Sequence, residues 1–286
     1  RTAFAGTALA VRVSGLMGGH SGTEIHKGRA NANAVLGRLL QAMGAETELR
    51  LETAAGGGKD NAIPMESSAQ VVASDEAAAR QAAEQMAAAL TREYAVADPG
   101  LRVEVTACEV SETPMDRAST EKALCMLTCL PNGIQAMSMD IPGLVQTSLN
   151  LGILATEADS LTATFCVRSS LGSQKEMLHR RLRALMAQLG GTVSISGDYP
   201  AWEYRQDSPF RDLMTEIFWE QYGSAPQIEA IHAGVECGIL AGKLPGLDCV
   251  SVGPDLLDIH TPRERMDIAS VQRVWRFVLE VLKRSK

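Results

Sequence analysis

Residues 69–108 read AQVVASDEAAARQAAEQMAAALTREYAVADPGLRVEVTAC. Compact apolar runs at residues 69–74 and 101–108 flank a stretch, 75–94, whose apolar residues recur with a period near 3.6. Asp75 stands where an N-cap side chain would accept the first free amides, an alanine-rich body follows it, and Asp98-Pro99-Gly100 supplies a turn after the helix. This is one strand-helix-strand unit. Working outward, residues 8–14 and 48–53 read as further strands and 29–43 as a helix, so the same rhythm occurs twice. Beyond Cys108 the pattern predicts a helix at 120–130, strands at 145–155 and 160–167, a helix at 173–189 and a strand at 192–196. In the 173–189 helix, Met177, Leu178, Leu182, Leu185, Met186 and Leu189 fall on one stripe, which is read as core.

Two tandem β/α sets imply an α+β domain, an antiparallel sheet with helices on one face. After Gly197-Asp198-Tyr199-Pro200 the grammar becomes helix (209–222), strand (227–231), helix (235–240), strand (248–252), helix (270–282). That order reads as the tail of a parallel α/β sheet, with a domain boundary near Tyr199 and domains at 1–199 and 200–286. The two strands end before His232-Ala233-Gly234 and Gly253-Pro254-Asp255, and open parallel sheets place ligands at such strand ends.

The composition excludes several classes. With 286 residues, 45% hydrophobic and 21% charged, the chain can bury a sizeable core, which argues against disorder or a fibre. A net charge of −7, without basic runs interleaved with aromatics, argues against nucleic acid as a partner. No apolar run approaches the roughly 20 residues of a membrane span. Six cysteines without a CxxC or a dense framework read as free thiols in a reducing compartment, hence a cytoplasmic protein. The chain starts at Arg1 without a signal-peptide layout and is read as beginning partway through a longer protein.

Five clusters could carry chemistry. In Gly18-Gly19-His20-Ser21-Gly22, followed by Glu24, His26 and Asn31-Ala32-Asn33, glycines allow tight turns that would bring His20 close to a ligand. A glycine-rich loop with a surface histidine accounts for the same residues, and His26 reads as a cap or surface group. Gly56-Gly57-Gly58 before Asn61 and Pro64 could present an amide to a carboxylate, or be a plain hairpin turn. Arg168, placed just past a strand end, could clamp a carboxylate or be an edge charge in water. His232, Gly234 and Glu236 bring an imidazole, a bare backbone and a carboxylate to a strand end. Finally, Asp258 and His260 suit a metal ligand held by a partner, although one histidine makes no metal site.

Taken in order, GLMGGHSGTEIHKGRANAN, GGGKDNAIP, VRSS, IHAGVECG and SVGPDLLDIHTPRER closely resemble the aminoacyl-histidine dipeptidases of the M20 metallopeptidase family, over residues 8–282. The resemblance implies a lid domain followed by the C-terminal part of a zinc-peptidase catalytic domain, two Zn2+ per site, a dipeptide substrate and a homodimer. It implies His20 as the lid histidine that polarises the scissile carbonyl. Asn61, Arg168 and the backbone of Gly234 would hold the substrate carboxylate, Glu236 would lie toward its amine, and His260 would ligate zinc. Family members carry an earlier segment with an HxD motif, a bridging Asp and a Glu-Glu pair, which does not occur in the residues before Ala8. The implied activity is therefore zinc-dependent hydrolysis of Xaa-His (carnosine-like) dipeptides by a longer protein, with this chain inactive alone. An aminoacylase or tripeptidase of the same family, or a non-catalytic lid or dimerisation module, are the alternatives.

Overall fold

The decisive stretch folds around its cap. Asp75 Oδ1 accepts the Ala78 N–H at 3.0 Å and opens a helix over Glu76–Glu93, between strands Ser67–Ala73 and Arg102–Ala107. In the computed structural model, residues 1–110, 112–229, 236–258 and 262–285 are described, and the chain divides into two units, Arg1–Ser196 and Gly197–Lys286. The first unit runs β1 (Thr7–Ser14), β2 (Gly19–His20), α1 (Ala32–Glu46), β3 (Leu49–Gly56), β4 (Ala62–Ile63), β5 (Ser67–Ala73), α2 (Glu76–Glu93), β6 (Arg102–Ala107), α3 (Arg117–Cys129), β7 (Gly133–Met137), β8 (Val145–Thr156), β9 (Leu161–Ser169) and α4 (Gly172–Leu189).

Its main sheet has the order β6-β1-β5-β3-β8-β7, with β9 also paired to β8, and every pairing is antiparallel. The period of 2 decides which face is buried. Leu9, Val11 and Val13 of β1 and Ala69, Val71 and Ala73 of β5 enter one core with Val35, Leu36, Leu39 and Leu40 of α1 and Ala79, Ala83 and Leu90 of α2. On the opposite face of β1, Arg12 is exposed and pairs with Glu66 at 2.8 Å. The α+β architecture with an antiparallel sheet and helices holds. β8 departs from alternation: it is buried without a break over its first eight residues, because it contacts both α1 and β4.

Three expectations are corrected in this unit. Residues 192–196 form no strand; the T-V-S-I-S alternation has no ladder partner, and Ile195 is exposed. Arg168 lies inside β9 rather than past its end, paired in register with Ser148. The α4 stripe is core at Leu178 and Leu182, whereas Met177 is exposed.

The second unit contains α5 (Pro209–Tyr222), α6 (Glu236–Lys243), β10 (Leu256–Leu257), β11 (Arg265–Met266) and α7 (Ile268–Arg284). Its core is small: Met214 and Ile217 of α5 against Phe277 and Val281 of α7, with Phe218 edge-on to Phe277. The expected parallel strands are absent from the described residues. Residues 248–252 and 227–229 carry no ladder, and the rest of the expected 227–231 strand lies outside the described residues. Apolar runs satisfied the sequence criterion, but a strand also needs neighbours for its N–H and C=O groups. The strands described in this unit, β10 and β11, pair antiparallel with each other. Asp248 acts instead as a cap for α5, accepting the Ser208 hydroxyl at 2.6 Å and the Phe210 N–H at 2.9 Å.

Candidate functional site

The loop over residues 17–30 carries His20. Two-residue β2 pairs with β4, His20 opposite Ala62, and the Ser21 N–H donates to the Asn61 carbonyl at 2.9 Å. The loop is organised from within by Glu24. Its Oε2 accepts the His20 N–H at 2.9 Å, and its Oε1 takes Lys27 Nζ at 2.7 Å and Arg29 Nη1 at 3.3 Å. The hydrogen bond from Lys27 and then that from the His20 amide hold the Glu24 carboxyl down at about 2. Arg29 also donates to the Gly18 carbonyl. Gly19 sits at φ 139°, and a Cβ there would lie 2.7 Å from Arg29 Nη1 and 2.9 Å from Glu24 Oε2. The second glycine of GGH is thus required by this ion cluster, a reason the sequence did not show.

The His20 ring has a defined sense. Its Nδ1 accepts the Gly22 N–H at 3.2 Å and the Thr23 N–H at 3.1 Å. Backbone amides can only donate, so Nδ1 carries no proton in this arrangement and the ring's N–H donor is Nε2. Under the loop, Ile25, Ile63 and Val145 form a small buried cluster.

Asn61 is brought beside His20 through the β2–β4 pairing, and its residue is exposed. Arg168 is tied to this part of the sheet only by its register on β8. It pairs with Ser148, while Asn150, two residues along β8, donates to the Asp60 and Ala62 carbonyls at 2.8 Å each. The Arg168 Nε is buried without a hydrogen-bond partner among the described residues. Glu236 is an exposed first residue of α6, in the second unit. Gly234, His232 and His260 lie outside the described residues, whereas Asp258 is described and takes Arg265 at 3.2 Å. His26, in a short 3-10 turn, is exposed.

Sequence reasoning placed Asn31 and Asn33 beside the His20 cluster but missed that they lock the loop to the sheet. Asn31, 3% exposed, caps α1 by accepting the Asn33 and Ala34 amides, and its Nδ2 donates to Asn150 Oδ1 at 3.1 Å and to the Leu151 carbonyl at 3.0 Å. Asn33 donates to Leu151 O at 3.2 Å and accepts the Ser67 hydroxyl at 2.8 Å. An Asn immediately before an apolar-periodic run is a helix-start signal, but the periodicity begins two residues earlier and hid the cap. Ser21 is also buried beside His20, its Oγ without a partner among the described residues.

Residues 11–98 match the model of the peptidase dimerisation domain of M20 proteins. The chain is 33% identical over 273 residues to the cytosol non-specific dipeptidase of Escherichia coli (strain K12), covering 95% of this chain and 56% of that protein. It matches the crystal structure of aminoacylhistidine dipeptidase from Vibrio alginolyticus with a TM-score of 0.92 and 31% identity, over 99% of this chain and 59% of that one. Over nearly its whole length the chain resembles the M20 dipeptidases. It spans somewhat more than half the length of both relatives. The loop carrying His20 lies within the matched dimerisation domain. Among its described residues, no helix is long and apolar enough to cross a membrane.

Proposed function

We propose that this chain serves in the zinc-dependent hydrolysis of dipeptides of the Xaa-His, carnosine-like class, with His20 donating a hydrogen bond to the oxyanion that develops on the scissile carbonyl. The observation that carries this reading is the ring geometry of His20. Two amides occupy Nδ1, so the imidazole offers Nε2–H, the donor an oxyanion requires. Asn61 and Arg168 are proposed to hold the substrate carboxylate; the unpartnered buried Nε of Arg168 is a donor that a carboxylate can take. The backbone of Gly234 and the carboxylate of Glu236 are proposed as further substrate contacts from the family resemblance alone.

Two zinc ions, when bound, would supply the polarised water. His260 is the ligand proposed from this chain. Among the described residues no group of three or more His, Cys, Asp and Glu could hold a metal, so the further ligands and the base are proposed to come from sequence of the kind its relatives have beyond the matched region. A homodimer through the peptidase dimerisation domain and a cytosolic location complete the proposal.

The test uses the catalytically complete protein. His20→Ala should lower kcat by roughly 10²- to 10³-fold with zinc content intact, as for a lost oxyanion donor. His260→Ala should instead lower zinc occupancy. Equal zinc loss in both, or full activity in His20→Ala, overturns these two roles. The chain of residues 1–286 alone should not turn over β-alanyl-histidine with added zinc. One relative is named for non-specific and the other for aminoacylhistidine dipeptides, so kcat/KM for β-alanyl-histidine against alanyl-alanine decides the substrate class.

A further inference from the structure

The loop over residues 17–30 is held at its base by a residue far away in sequence. Asp98, 1% exposed, stands in the turn after α2. Its Oδ1 accepts the Met17 N–H at 2.6 Å and its Oδ2 accepts the Ala30 N–H at 2.6 Å. Those amides are the two feet of the loop. The carboxylate is itself oriented by its turn: the Asp98 N–H donates to the Tyr94 carbonyl at 2.8 Å, and its carbonyl accepts the Leu101 N–H at 3.1 Å. The turn also presses on the start of the loop, since a Cβ on Gly15 would lie 2.0 Å from the Gly100 carbonyl oxygen and one on Gly100 2.5 Å from that of Gly15.

We infer that Asp98 is a positioning residue for His20, a buried carboxylate that closes the loop at both feet and so fixes the imidazole three residues beyond the first foot. Two acceptor oxygens are needed because two amides arrive, and a charged acceptor makes the stronger bonds. The Glu24 cluster orders the middle of the loop from inside; Asp98 ties the loop to the turn between α2 and β6. An asparagine at position 98 keeps the volume but turns one oxygen into a donor that faces a donor, releasing one foot. The inference rests on the proposed role of His20 for its bearing on catalysis, whereas the tie itself stands on the two hydrogen bonds.

The experiment follows ring nitrogen shifts of His20 and amide hydrogen exchange in the chain of residues 1–286. In wild type, His20 should show an unprotonated Nδ1, and the Met17, His20 and Ala30 amides should open together. In Asp98→Asn, the His20 ring signal should shift toward mixed tautomers and exchange of the amides at 17–30 should rise about ten- to hundredfold, the loss of one charged hydrogen bond. Ala79→Gly, which weakens α2 and the core away from the loop, is the control and should lower the melting temperature without moving the His20 signal. An unchanged His20 spectrum in Asp98→Asn, or the same change in Ala79→Gly, overturns the inference. If Asp98→Asn does not fold, wild-type exchange decides: a His20 amide opening more than about tenfold faster than both Met17 and Ala30 overturns it, and joint opening supports it. Because none of these readouts measures turnover, a failure of His20→Ala to affect activity would sink the proposed function and leave the tie standing.

Discussion

Glu24 gathers Lys27, Arg29 and the His20 amide onto one carboxylate, and this concentration makes the loop sensitive to acid. Its carboxyl lies near 2 in the folded chain, below the ordinary value of 4.5. A depressed carboxyl lends stability that is complete above its unfolded value and disappears as pH falls through the folded one. The loop should therefore loosen between about pH 4.5 and pH 2. Amide exchange of His20 followed across that window should show the step in wild type and lack it in Glu24→Gln; a step of equal size in both would remove Glu24 from the account. At this scale the sequence was informative where one residue acts alone. Asp75 was legible as a cap because capping needs only its own side chain and the amides after it. Asp98 was legible only as a turn residue. Its partners Met17 and Ala30 lie 81 and 68 positions away, and no local pattern records such a meeting.

Among elements, α1 and α3 come close at two glycines whose surroundings differ. A Cβ on Gly37 would lie 3.0 Å from Leu127 Cβ and 3.1 Å from the Leu127 carbonyl oxygen, atoms near the helix axis that cannot swing aside. A Cβ on Gly44 would meet Leu124 Cδ1 at 3.1 Å, the far end of a side chain that can. Replacing a mid-helix glycine with alanine gains about 1 kcal/mol of helix propensity, while overpacking costs about 1–3 kcal/mol. Gly37→Ala should therefore destabilise the fold by about 1 kcal/mol or more, and Gly44→Ala should be neutral or stabilising. Urea midpoints of the two variants check this, and a Gly37→Ala variant more stable than Gly44→Ala would refute the packing argument. The helices and long strands were readable because each repeats its period over several turns or pleats. β2 and β4, two residues each, repeat nothing, so the pairing that sets His20 beside Asn61 could not be seen.

At the scale of the whole molecule, the larger core belongs to Arg1–Ser196, while the core of Gly197–Lys286 has four buried apolar side chains among its described residues. Between α4 and α5 the chain has no regular structure and exposes Tyr199 and Tyr204. Brief chymotrypsin treatment should cut there first and leave the first unit as the resistant product; early cuts within residues 1–190 would place the weak point elsewhere. The parallel strands read after Tyr199 do not occur among the described residues, since strand pairing is a property of neighbours and a run such as Asp248 to Val252 cannot declare its own. The strand order of the first unit has a further consequence, for synthesis of the chain. β1 pairs with β5 and β6, through Thr7–Ala73 and Leu9–Ala107, and β3 reaches β8 only at Gly56–Leu154. Translation at about 5–20 residues per second delivers β6 on the order of ten seconds after β1. During that interval Leu9, Val11 and Val13, fully buried at the end, have no finished sheet to enter. The nascent chain thus presents an apolar strand to water well before its partners exist, and the yield of folded protein should depend on holdase chaperones and on elongation rate more than the stability of the finished sheet would suggest.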